Sequence, residues 1–184
     1  CVVIYQSYLQ LSITQIMNLE EIRGLPGAFL LKSGRPVAKV QIIGNIVSRK
    51  QESNAILYVV DDGSGIIQCS KYINDDNEDI KNMFNLGDLV RVTGTLVRYP
   101  CVYQGATEVK ITNLHKCISP NEETLHWLQT IKLSNEIYDK KLDTNLIVKR
   151  ILEERKNSIP TCQCGDDDGG CRHKLYYCKC MASI

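Results

Sequence analysis

The sequence predicts a mainly β, α+β protein: a small closed barrel of five strands, flanking C-terminal helices and a short cysteine-rich tail. Three observations predict it. Five apolar, β-branched runs follow one another between residues 34 and 118, separated by polar or glycine-containing turns. An acidic stretch of weak helical character, NDDNEDIKNMF, divides the third run from the fourth. Gly44 and Gly94 stand inside apolar runs, where glycine permits a sharp bend or a bulge. An SH3-like barrel shares the strand count but lacks the insert, so the pattern is that of an OB-fold.

The elements follow in order. Residues 1–28 form a lead-in of ambiguous period, a short strand or helix, ended by Gly24, Pro26 and Gly27. Residues 29–133 form the OB-fold domain with its following helix. Gly34-Arg35-Pro36 opens the first strand, VAKVQIIGNIV, and Lys50 to Asn54 make a polar turn. AILYVVD is the second strand, Asp62-Gly63-Ser64-Gly65 a tight turn, and IIQCSKY the third strand. Gly87-Asp88 starts the fourth, LVRVTGTLVRY, in which Val90, Val92, Gly94 and Leu96 share one face. ATEVKITNL is the fifth. Ser119-Pro120-Asn121-Glu122-Glu123 reads as a helix start, with acids placed against the macrodipole. A helical extension occupies residues 134–158, with Asp143 or Thr144 as a cap, and residues 159–184 are the cysteine-rich tail.

The chain has 184 residues, 43% of them hydrophobic and 23% charged, which is a globular composition. Lys and Arg number 22 against 21 Asp and Glu, for a net charge of +1. Coating of nucleic acid by bulk charge is thereby excluded, whereas a local basic groove is not. No apolar run reaches the roughly 20 residues of a membrane span, so no membrane partner is expected. The chain starts at Cys1 without a basic, cleavable leader, as expected of a fragment or processed form. Nine cysteines, an odd number, are split between scattered single positions and the tail. That distribution suits a reducing compartment better than a secreted disulfide framework.

Candidate sites carry two readings each. Lys39, Arg49, Lys50, Lys71, Tyr72, Arg91, Arg98, Tyr99, Tyr103 and Lys110 could line a single-strand groove, cations following phosphates and aromatics stacking on bases. The plainer alternative is a solvated barrel face, its charge offset by Asp75, Asp76, Glu78 and Asp79. Leu125, Leu128 and Ile131 make a narrow helical stripe with Trp127 beside it, either closing the barrel or docking a partner. Asp61 and Asp62 read as a turn, because neither a third carboxylate nor a nucleophile motif accompanies them. No enzyme is expected. Cys162, Cys164, Cys171, His173, Cys178 and Cys180 offer six soft ligands for zinc, without the spacing of a common finger. The alternative is a tail without metal.

Pro26-Gly27-Ala28-Phe29, Gly34-Arg35-Pro36, Gly44, Val60-Asp61-Asp62-Gly63-Ser64-Gly65, Ile67, Cys69 and the run Gly87 to Gly94 together resemble the Stn subunit family of the CST telomere-maintenance complex. That family is itself related to the middle subunit of replication protein A. The likeness runs over roughly residues 5 to 140. It implies a nuclear, non-enzymatic protein of chromosome telomeres that binds single-stranded G-rich telomeric DNA. Its implied partners are a small OB-fold Ten subunit, a large Ctc subunit and DNA polymerase alpha–primase, which the trimer assists in C-strand fill-in. Tyr72 stands where the family stacks an aromatic on DNA, and Tyr99 matches a family tyrosine. The implied partner interface lies near Asp61 and on Leu125, Trp127, Leu128 and Ile131. The family carries winged helices after the OB domain; here a short cysteine-rich tail follows instead. Two other functions fit the same fold: a replication protein A-like replication factor, and an OB-fold adaptor that contacts protein only.

Overall fold

The computed structural model describes residues 7–22, 27–73, 84–99 and 106–158. Most of the acidic insert, Tyr103 and the whole cysteine-rich tail lie outside the described residues. The chain divides between Ile147 and Val148 into two compact units.

Nine strands and three α-helices are described. The lead-in holds β1 (Tyr8–Gln10), α1 (Ile13–Met17) and β2 (Glu20–Glu21). β3 (Phe29–Leu30) and β4 (Pro36–Val37) complete a small antiparallel sheet with β2. The barrel strands are β5 (Lys39–Gln51), β6 (Ala55–Asp61), β7 (Ile66–Tyr72), β8 (Leu89–Arg98) and β9 (Thr107–Lys116). They are hydrogen-bonded in the order β5-β6-β7-β9-β8, and β8 returns to pair with β5, which closes the cylinder. Closure leaves these strands no free edge along their paired length. The OB-fold read from the five runs is thus the fold observed.

Alternation puts the core where it was expected. Val40, Ile42, Ile56, Tyr58, Val60, Ile67, Cys69, Val90, Val92, Leu96 and Val109 fill the interior. β5 is longer than its apolar run: Lys50 and Gln51 continue the ladder opposite Leu57 and Ile56, so the turn shrinks to residues 52–54. Gly94 coincides with the register shift in the β8–β9 ladder, and a Cβ there would lie 2.3 Å from the Lys110 carbonyl oxygen. Gly44 serves close approach rather than a bulge, since a Cβ would meet the Asp61 carbonyl oxygen at 2.3 Å.

The lead-in contributes to this same core. β1 pairs in parallel with β5, and Leu9, Leu11, Ile13, Ile16 and Leu19 are buried against the barrel. α1 is held at its start by four hydrogen bonds. Ser12 and Gln15 form a reciprocal capping box, the Ile13 N–H donates to Asp62 Oδ2 at 2.8 Å, and the Thr14 N–H donates to Ser64 Oγ at 3.1 Å. The turn between β6 and β7 therefore also anchors the helix that seals the barrel.

α2 (Asn121–Leu133) begins on Glu122, whose Oε1 accepts from the Ile118 N–H at 3.1 Å and whose Oε2 accepts from Arg91 at 3.0 Å. The Ile118 and Ser119 amides first, then Arg91, hold its carboxyl below the usual range. One π-helical turn, Ser134–Tyr138, prolongs it. The helical extension expected over 134–158, with Asp143 or Thr144 as a cap, begins with this turn. It breaks after Tyr138 and restarts as α3 (Thr144–Ser158), where Asp143 Oδ1 accepts from the Asn145 N–H at 3.1 Å and the Leu146 N–H at 3.3 Å. No described helix is long and apolar enough to cross a membrane.

Candidate nucleic-acid interface

Strands β6, β7 and β9 turn their second face outward. In β7, burying Ile67 and Cys69 forces Gln68, Ser70 and Tyr72 to the other side. In β9, burying Val109 and Ile111 does the same for Glu108 and Lys110. The parallel β7–β9 register sets Gln68 opposite Glu108 and Ser70 opposite Lys110. Against the 52–54 turn and Tyr99 at the end of β8, these side chains enclose a pocket of about 270 Å³. Leu57, Gln68, Ser70, Tyr72, Tyr99 and Glu108 line it, with Glu52, Ser53, Asn54 and Ala55 at the turn.

Two aromatics and a cation dominate its rim. Tyr72 is 54% exposed, and the Lys110 ammonium lies 5.6 Å from the centre of its ring. Burial, then the Glu108 charge and the neighbouring Tyr72, push the Tyr99 phenol above its ordinary range. On the pocket floor Glu108 accepts from Gln68 Nε2 at 3.1 Å and from the Ser70 hydroxyl. Lys50, opposite Leu57 in the ladder, stands at the turn and pairs with Glu52 at 2.9 Å.

Of the ten residues expected on a groove, the structure brings Tyr72, Tyr99 and Lys110 together, leaves Lys50 at the neighbouring turn paired with Glu52, and places five elsewhere. Lys39 lies at the start of β5 with its ammonium 5.6 Å from the Tyr8 ring. Arg49 sits opposite Tyr58, which is fully buried; burial raises that phenol's pKa and Arg49 opposes the rise. Lys71 donates to the Thr112 carbonyl at 3.1 Å. Arg91 is tied to Glu122 of α2. Arg98 donates to Thr107 Oγ1 at 3.1 Å and to the Leu19 carbonyl at 3.2 Å, and its guanidinium stacks 5.1 Å from the Phe29 ring. Arg98 thus fastens the lead-in instead of facing the groove. Tyr103 lies outside the described residues. Leu57, Gln68, Ser70 and Glu108 went unread in the sequence. Alternation from Tyr72 would have found Gln68 and Ser70, whereas Glu108 joins them only through the β7–β9 pairing.

Asp61 and Asp62 form the turn the sequence implied. The Gly63 N–H donates to Asp61 Oδ1 at 2.8 Å, and Asp62 Oδ1 accepts from the Ser64 N–H, the Ser64 hydroxyl and the Gly65 N–H. Cys69 and Cys117 are buried free thiols, both pushed up by burial. Among the described residues no three His, Cys, Asp or Glu side chains gather as a metal site, and Cys162, Cys164, Cys171, His173, Cys178 and Cys180 lie outside them.

The stripe on α2 points away from its own barrel. His126 and Thr130, one turn apart, are the buried residues of the helix. Leu125, Leu128 and Ile131 are 54%, 61% and 51% exposed, and Trp127 is half-buried. A surface helix ordinarily does the opposite.

The family described as OB-fold nucleic acid binding domain matches residues 40–116. The chain is 24% identical over 163 residues to CST complex subunit STN1 of Ailuropoda melanoleuca, covering 74% of this chain and 43% of that protein. It is 26% identical over 151 residues to CST complex subunit STN1 of Arabidopsis thaliana, covering 72% of this chain and 92% of the relative. The chain therefore spans less than half of the one relative and nearly all of the other. Among solved structures, the Schizosaccharomyces pombe Stn1–Ten1 complex superposes with a TM-score of 0.62 at 17% identity, over 79% of this chain and 99% of that one. A replication protein A heterotrimer bound to single-stranded DNA gives 0.60 at 20% identity, over 71% and 98%. The chain carries an OB-fold and, across most of its length, is similar to the STN1 subunit of the CST complex.

Proposed function

We propose that this protein binds single-stranded telomeric DNA as a non-catalytic subunit of a CST-like assembly in the nucleus. The observation that carries the DNA-binding part is the joining of Tyr72, Tyr99 and Lys110 at one pocket on the outer face of β6, β7 and β9. Exposed aromatic faces beside a cation suit unpaired nucleotides, because every base has a π-face and every nucleotide a phosphate. Similarity to STN1 supplies the telomeric setting. The outward apolar stripe of α2 is the seat for a small OB-fold partner of the Ten1 kind. A large Ctc subunit and DNA polymerase alpha–primase, in C-strand fill-in, complete the proposed assembly. A non-catalytic role is supported by the engagement of Asp61 and Asp62 in turn hydrogen bonds. Zinc binding by the tail is proposed on its six soft Cys and His ligands alone.

One observation favours the second reading, an adaptor that contacts protein only. Arg91 and Arg98, two of the cations expected on the groove, are engaged by Glu122, Thr107 and Leu19. A double variant separates the two. Replacing Tyr72 and Tyr99 by alanine removes about 1–3 kcal/mol per stacked base. Affinity for a G-rich single strand then falls at least tenfold while the thermal midpoint holds. An unchanged affinity transfers the function to the adaptor.

A further inference from the structure

We propose that Glu108 reads a guanine in this groove, its carboxylate accepting the N1–H and N2–H of the base's Watson–Crick edge. This inference rests on the single-strand reading given above and names what that site selects.

Glu108 is 5% exposed, yet it belongs to the outer face of the barrel and not to the core. A buried carboxylate is costly unless donors or cations surround it. Two neutral donors reach this one: Gln68 Nε2 on Oε2 and the Ser70 hydroxyl on Oε1. Among the described residues no Lys, Arg or His pairs with it. Lys110, the nearest cation in the strand, lies instead over the Tyr72 ring. Two carboxylate oxygens offer about four acceptor sites. One donor on each oxygen leaves each oxygen an acceptor to spare, at the floor of a pocket flanked by Tyr72 and Tyr99.

A carboxylate at this place repels phosphate. A strand crossing the pocket must therefore turn a base inward and keep its backbone at the rim, where Lys110 stands over Tyr72. Unpaired bases are read on their Watson–Crick edges. Guanine alone presents two adjacent donors there. Adenine and cytosine place an acceptor beside the donor, and thymine sets one donor between two carbonyls, so each of these aims a lone pair at the carboxylate. Gln68 and Ser70 act as positioning residues that fix the carboxylate plane.

The test uses the full chain at one fixed salt concentration and fluorescence anisotropy. The probes are oligothymidine strands carrying a single internal guanine, inosine or 7-deazaguanine. Inosine lacks the N2 amino group, and 7-deazaguanine keeps both donors. The expected result is binding about tenfold weaker for inosine than for guanine, the loss of one hydrogen bond to a charged group, with 7-deazaguanine equal to guanine. Glu108→Gln should bring the ratio of guanine to inosine affinity down to about one, the ratio and not the absolute affinity being the readout. A purely structural glutamate would instead weaken binding to every strand alike, and that result overturns the proposal. Equal binding of guanine and inosine by the wild type overturns it too, while leaving the groove in place. Failure to bind any strand overturns the groove reading along with it.

Discussion

Asp62 joins two parts of the chain that are remote in sequence. Its Oδ1 closes its own turn through Ser64 and Gly65, and its Oδ2 accepts from the Ile13 N–H 49 residues earlier. The same turn keeps Gly63 at φ +78°, a conformation that favours glycine. One carboxylate thereby shapes the β6–β7 connection and caps the helix that seals the barrel. Asp62→Ala leaves buried amide donors unsatisfied at about 1–3 kcal/mol each. The unfolding free energy should fall by an amount of that order, read as a lower urea midpoint with an unchanged slope, and Asp62→Asn, which keeps an acceptor, should cost less. A midpoint equal to the wild type would show that the lead-in docks without this contact.

At the scale of elements, α2 inverts the usual amphipathic arrangement. Its buried side carries His126 and Thr130, and its apolar side faces out. The sequence showed the stripe but not its direction, because a stripe at 3.6-residue spacing looks the same whether it covers its own barrel or a neighbour. Burial answers the question. Leu128→Arg or Ile131→Arg changes an exposed position, so the stability of the isolated chain should move by less than about 0.5 kcal/mol. Co-purification with a small OB-fold partner should be lost. Loss of folding in either variant, or retained pairing, would return the stripe to an internal role. The barrel strands were more legible: AILYVVD and IIQCSKY match β6 and β7 end to end, because alternation and a glycine turn mark both borders.

For the whole molecule, closure of the barrel makes the candidate site, and the packing of α2 on β1 and β5 buries a titratable group. His126 is almost wholly buried; burial first, then Arg91, hold its imidazole below the ordinary value, against a smaller opposing effect of Asp62. As pH falls, the unfolded chain takes up the proton before the folded one does. Stability is therefore full above a pH of about 6.5 and declines below it, down to the folded-state pKa. Asp88 is held low by Lys116 and the Asn85 N–H, so its contribution is lost only below a pH of about 4, outside that window. Urea unfolding at intervals from about pH 7.5 to 5 should show the decline. His126→Gln should flatten it. A slope that survives the substitution would assign the pH dependence to another group.

The amino-acid sequence by itself determined the strands, their inward faces, the Asp-Gly turn and the OB-fold class, since alternation and turn chemistry are local properties of the chain. Tertiary structure decided which outward side chains meet. Gln68 and Glu108 come together only because β7 and β9 pair in parallel across 40 residues of sequence. Arg91 and Arg98 leave the groove only because α2 and the lead-in pack where they do. Cations and aromatics can be counted along a chain, but a site is a set of distances, and those follow from long-range pairing that no local pattern encodes.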